Sequence, residues 1–325
     1  MGIITNLIKG ALNILEEVIL EEVDSTKSPE ELFQKGYDDY FKVGNYAETI
    51  KYFKLSAEQG YAKGQCSLGL MYAHGSGVEQ NYNEAEKWLK LSAKQGFAVS
   101  QDELARMYMY GLGVEQNYYE AAKWAKLAAE QGLAEAQARL ALLYMQGLGV
   151  EQNYYEAAKW AKLAAEQGLA KAQALLAHLY MEGLGVEQNY YEAAKWEKLA
   201  AEQGRAEAQD ELARMYMDGL GVEQNYYEAA KWAKLAAEQS EESAQYKLGV
   251  LYMQGWGVEQ NYYEAVRWFR LCAEQGLASG QCVLGILYLK GVGVEQNDSE
   301  AKKWLELAAT QGYEDAIGIL NGDNF

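Results

Sequence analysis

The side chains of this 325-residue chain best suited to do chemistry sit in two near-copies of one motif. Asp102, Glu103 and Arg106 return as Asp210, Glu211 and Arg214, in the same order and at the same spacing. Acids three and four residues before an Arg share one face of a helix. Two readings of that face stay open. A fixed guanidinium can clamp a partner's carboxylate through paired hydrogen bonds. Alternatively, the acids close local pairs with Arg106, each worth ~0.3 kcal/mol, and the face is merely solvated. Tyr110, His178, Glu182, Asp218 and Tyr246 belong to the same candidate set, which would suit an extended or helical peptide. The Tyr residues would supply amphipathic contact area.

Catalytic chemistry has little to stand on. The only histidines are His74 and His178, far apart in sequence, and no Cys/His cluster has metal-site spacing. Asp102 and Asp210 are too distant in sequence to be taken as a carboxylate pair. Cys66, Cys272 and Cys282 cannot build a disulfide framework. A Gly-x-Gly-Val element recurs, without the Lys-Ser/Thr ending of a phosphate loop. The chain therefore reads as a non-enzyme with no cofactor and no metal. Its 47 acidic against 29 basic residues give a net charge of -18, which argues against nucleic acid as a partner.

The elements that must position these residues are repeated. Gly60, Gly96, Gly132, Gly168, Gly204, Gly276 and Gly312 fall on a 36-residue ladder, with Ser240 on the remaining rung. Seven units follow between 61 and 312, each with one Trp on the same 36-residue ladder and one Gly-x-Gly-Val-Glu-Gln-Asn, first at Gly75 to Asn81. Such spacing marks an array rather than several globular domains. In the unit 133–168, Ala134, Gln137, Leu140, Ala141 and Tyr144 predict a first helix. Gly147 and Gly149 end it, and Asn153 with Glu156 has capping-box spacing for a second. Ala157, Trp160 and Ala164 form its stripe. Neither stripe is hidden by its own unit, so units must stack.

Ala134, Leu140, Ala141, Leu143, Tyr144, Gly147, Gly149, Val150, Ala157, Trp160, Ala164, Ala165 and Gly168 together resemble the Sel1-like repeat family, relatives of the tetratricopeptide repeats. The resemblance covers at least 61–312. It implies an all-α, right-handed superhelical solenoid whose first helices line a concave face. It also implies adaptor or scaffold functions, some of them bacterial: effector regulation, immunity or envelope roles. A cysteine-rich branch linked to penicillin binding and β-lactam hydrolysis carries a disulfide in each unit, which this sequence lacks, so that activity is not carried over. Residues 28–60 resemble a tetratricopeptide-type unit through Phe33, Tyr40, Gly44, Asn45, Tyr46 and Phe53, opened by Ser28-Pro29-Glu30-Glu31. Residues 313–325 read as a C-terminal cap.

Comparing units with one another, variation concentrates at positions 3, 6, 7, 10 and 14 of the first helix. Position 6 holds Asp102, Asp210 and Tyr246; position 7, Glu103 and Glu211; position 10, Arg106, His178 and Arg214; position 14, Tyr110, Glu182 and Asp218. Trp256 is the one Trp off the ladder, in an apolar loop slot, as an interface anchor or as loop packing. Paired Tyr residues such as Tyr226-Tyr227 open the second helices, the first expected to pack and the second to form an outer ladder. The leading expectation is a protein or peptide partner on the concave face. The alternatives are a self-assembling structural protein and an effector-regulating or immunity-type bacterial binding protein. Residues 1–24 read as an amphipathic covering helix, too charged to span a bilayer. Within it, Met1 to Val23 is an alternative peripheral-membrane or self-association contact. Without a clear signal peptide, the expected location is cytoplasmic.

Overall fold

A computed structural model describes residues 26–40 and 46–322. The covering helix assigned to 1–24, Gly44 and Asn45 of the first turn, and the last three residues of the cap lie outside the described residues. Among the described residues the chain is an all-α solenoid of stacked helix-turn-helix repeats, with no strand. It divides into two compact units, up to Asn153 and from Tyr154 onward. The first holds α1 (Pro29–Asp38), α2 (Tyr46–Glu58), α3 (Ala62–His74), α4 (Tyr82–Lys94), α5 (Ala98–Tyr110), α6 (Tyr118–Glu130) and α7 (Ala134–Gln146). The second holds α8 (Tyr154–Glu166), α9 (Ala170–Glu182), α10 (Tyr190–Glu202), α11 (Ala206–Asp218) and α12 (Tyr226–Glu238). It continues through α13 (Glu242–Gln254), α14 (Tyr262–Gln275), α15 (Ala278–Lys290), α16 (Asp298–Thr310) and α17 (Glu314–Asn321).

Local chemistry explains the helix boundaries. Ser28 and Glu31 form a reciprocal capping box, with Pro29 at the first helical position. The later second helices cap differently. Asn117 Oδ1 accepts from the Glu120 N–H at 3.1 Å. The Asn117 N–H already donates to the Tyr108 carbonyl at 2.9 Å. With that donor occupied, the Glu120 carboxylate turns to Lys123 instead. The sequence spacing thus yields half of the expected box.

The Gly-x-Gly turn does two separate jobs. Gly147 (φ +69°) closes α7 in the left-handed conformation that side chains resist. Gly149 (φ +71°) lies against the start of the preceding second helix, where an added Cβ would stand 2.0 Å from the Tyr118 carbonyl oxygen. The turn therefore fixes how one unit seats on the last.

Stacking is completed by a ladder of buried Gln residues. Gln101 Nε2 donates to the Ala93 carbonyl at 3.1 Å, and its Oε1 accepts from Gln131 Nε2 at 2.8 Å. In the second compact unit Gln209 does the same with Ala201 and Gln239. Removing one such partner strands a buried polar group, at a cost of about 1–3 kcal/mol. Within a unit, first and second helices meet by size matching. Gly69 receives Leu89, Gly249 receives Phe269 and Gly285 receives Leu305, while Ala105 and Ala213 belong to units carrying Ala125 and Ala233.

Candidate functional site

The first helices carry a gradient of exposure along their variable positions. In α5, Asp102 is 8% exposed, Glu103 and Arg106 are half-buried, and Tyr110 at the helix end is 59% exposed. Spacing of three and four residues creates the gradient: position 6 turns toward the neighbouring unit, and positions 10 and 14 turn toward the rim.

The two acids of the motif have different fates. Glu103 closes onto Arg106, with Nε donating at 2.8 Å and Nη2 in a second contact, so the guanidinium is held still more firmly in its charged form. Asp102 crosses to the next first helix, accepting from Arg139 Nε at 2.9 Å and Nη2 at 3.2 Å, with only 11% of either side chain exposed. It does not pair locally with Arg106, the alternative that helix spacing alone allowed. The second copy repeats the division. Glu211 holds Arg214, which also reaches Asp218 Oδ2 at 3.5 Å and Met181 Sδ at 3.2 Å. Asp210 instead accepts from Lys247 Nζ at 2.8 and 2.9 Å, and Lys247 also donates to Ser243 Oγ.

Arg139 and Lys247 are site-shaping residues that sequence reasoning missed. A signal was present: both occupy position 7 in the unit following an Asp at position 6, with the opposite charge. The remaining candidates are spread out. His178 and Glu182 are exposed, one turn apart on α9. Tyr246 is half-buried with its ring edge-on to Phe269 at 5.5 Å, and burial pushes its phenol up. Trp256 is 40% exposed and stacks on Tyr226 at 5.0 Å, so the loop-packing contact is real and one ring face stays at the surface. The second Tyr of each pair is the more exposed: Tyr119, Tyr155, Tyr191 and Tyr227 are each 68% exposed, while of the first members, expected to pack, Tyr190 and Tyr262 are exposed as well, at 39% and 43%.

A second missed residue is Glu197 on α10. It is 4% exposed, at the place where other units carry Leu89, Ala125, Ala161, Ala233, Phe269 or Leu305. Burial pushes its carboxyl up to about 8; Glu211 adds to the rise and Arg205 opposes it. At neutral pH this acid is protonated for the most part. The second helices otherwise vary little between units, which drew attention away from it.

The cysteines do not look like nucleophiles. All three are free and buried, and burial pushes Cys66, Cys272 and Cys282 up to about 11, 12 and 11. His74 turns Nδ1 to the Leu70 carbonyl at 2.9 Å. Among the described residues no three His, Cys, Asp or Glu side chains converge as a metal site would require. None of the described helices is long and apolar enough to cross a membrane.

Comparison with known proteins follows the same units. The sequence model of the Sel1 repeat matches residues 31–61, 62–97, 98–133, 134–169, 170–204, 206–241, 242–277 and 278–313. The first match extends over the stretch that resembles a tetratricopeptide unit. A protective antigen of uropathogenic Escherichia coli, described as displaying an SLR fold, superposes with a TM-score of 0.84 at 35% identity over 92% of this chain. This chain spans 65% of the antigen's length. A Sel1 repeat protein from Oxalobacter formigenes superposes with a TM-score of 0.71 at 33% identity, covering 95% of this chain and 90% of the other. No curated protein sequence matches.

Proposed function

This chain belongs to the Sel1 repeat family, and from that premise we propose that it is an adaptor docking a protein or peptide on positions 7, 10 and 14 of its first helices. Solenoids of this class typically serve as scaffolds for protein–protein contacts. The reading of this particular face rests on how the motif divides its charges. The buried Asp102 and the half-buried Asp210 are consumed by the seam between units, whereas Arg106 and Arg214 stand nearer the rim, each steadied by a Glu one turn earlier. An arginine already held in place loses little side-chain entropy on meeting a carboxylate. The repeated positions, by contrast, are filled with Gln, Ala and Gly that serve stacking. Partner identity would then be written in the side chains that vary from unit to unit.

Affinity capture from source-cell lysate tests this, comparing the unaltered chain with Arg106→Gln/Arg214→Gln. The adaptor reading expects a protein retained by the former and lost by the latter, with helicity unchanged. Equal recovery by the folded double variant would move the contact away from these arginines, toward the outer Tyr residues or Trp256. A chain that retains nothing and gains mass with concentration in light scattering would favour self-assembly.

A further inference from the structure

One turn of the array departs from the others where the scaffold does not require it. Each of the seven 36-residue units enters its second helix through Glu-Gln-Asn. In the six earlier units the residue two places after that Asn is Asn83, Tyr119, Tyr155, Tyr191, Tyr227 or Tyr263. In the last unit it is Ser299, which makes Asn297-Asp298-Ser299 the one Asn-x-Ser/Thr tripeptide of the sequence. That spacing, with any residue but Pro between, is the acceptor pattern for an N-linked sugar.

The turn presents the tripeptide to solvent. Asn297, Asp298 and Ser299 are all exposed, where extended backbone at Asn297 (φ -150°, ψ 98°) passes into α16. The Asn side chain is engaged at one end only. Its Oδ1 accepts from the Glu300 N–H at 3.0 Å, which caps the helix, and its Nδ2 has no hydrogen-bond partner among the described residues. A sugar on Nδ2 therefore leaves the cap in place. The flanking surface is also less crowded than in the preceding units. There a Tyr follows the Asn and its phenol is tied to the turn: Gln224 Nε2 donates to Tyr226 at 3.1 Å, and Gln260 Nε2 to Tyr262 at 3.0 Å. The short side chains of Asp298 and Ser299 stand where those units carry two tyrosine rings.

We propose that Asn297 is a glycosylation site, taking an activated sugar whose anomeric carbon bears a phosphate leaving group. Asn297 Nδ2 forms the bond to the anomeric carbon. The bond from that carbon to the phosphate oxygen breaks, and the phosphate departs with the electron pair. The amide gives up one proton to a base of the transferase, which reads the Ser299 hydroxyl two residues on. A lipid-linked pyrophosphate oligosaccharide and a nucleoside diphosphate sugar share this chemistry. No step depends on the adaptor reading.

The test is made on the full chain isolated from its source cells, by intact mass and by sequencing the peptide that holds Asn297. The proposal expects a fraction of chains heavier by a glycan, with the added mass on Asn297. A single hexose would identify the nucleotide-sugar donor, and a preformed oligosaccharide the lipid-linked one. Ser299→Ala, at an exposed position, should abolish the addition with helicity unchanged, and Ser299→Thr should retain it. A chain of unmodified mass would overturn the proposal. So would an addition that persists in the folded Ser299→Ala variant.

Discussion

Helices α5 and α11 carry the same Asp-Glu-x-x-Arg motif on different ground. Beside Glu103 the neighbouring unit presents Cys66, part of an apolar cluster that also holds Leu89. Beside Glu211 it presents the buried acid Glu197. Across the outgoing seam, Asp102 meets a guanidinium, while Asp210 meets an ammonium also held by a serine. The first position of each unit differs as well: Phe97 in one, Arg205 in the other, the latter with a buried Nε that lacks a hydrogen-bond partner. One surface motif has thus been set on a stable base in one place and on an electrostatically loaded base in the other. What a repeat displays and what holds it up have diverged separately.

The largest effect should come from breaking the seam. Asp102→Ala leaves the Arg139 guanidinium buried and unpaired, and should cost about 3–5 kcal/mol in denaturant unfolding. Asp210→Ala should cost roughly half as much, because Lys247 keeps the Ser243 hydroxyl and its flexible stem can carry the ammonium to water. Equal losses would mean that the two seams are not different in kind.

Glu197 gives the next largest effect and a pH signature. Its carboxyl is raised from 4.5 to about 8 in the folded state. Between those values the unfolded chain releases the proton and the folded chain keeps it, so stability falls as pH rises across the window and levels off above it. Glu197→Ala, which restores the residue used in three other units, should remove this slope and add about 2 kcal/mol or more at pH 8. Parallel stability–pH curves for the variant and the parent chain would show that the acid is not loaded as described. The equivalent Leu89 should give no such pH dependence when changed.

The smallest effect concerns where the two copies end. The unit 97–132 closes on Gly132 (φ +89°), whereas 205–240 closes on Ser240 at φ +69°, the only described non-glycine residue with positive φ. Nothing crowds a Cβ at the equivalent glycines, so the strain is purely conformational. Ser240→Gly should stabilise by about 1 kcal/mol. No change in the unfolding midpoint would contradict that.

The solenoid was legible because each repeated residue has one local job that recurs every 36 residues. Gly147 could be read as a helix end, Asn153 as the start of the next helix, and Trp160 as stripe packing. The site was legible only in part. Glu103 and Arg106 pair within one helix, which spacing predicts, but Asp102 finds Arg139 across a seam. The residue it meets depends on how units stack, not on helical period. Glu197 was harder still. An acid on a second helix looks solvated from sequence, and only the packing of α10 shows that it is buried. The role of Gly149 as the seat for the Tyr118 backbone likewise needs the neighbouring unit to be in place.

Hydroxyl-radical footprinting of the chain in its captured complex tests the adaptor account most directly, since exposed tyrosines stand on both first and second helices. The account predicts protection of Tyr110 on α5 and of the rim around Arg106 and Arg214, with Tyr119, Tyr191 and Tyr227 as reactive as in the free chain. Protection of those second-helix tyrosines, with Tyr110 unchanged, would contradict it.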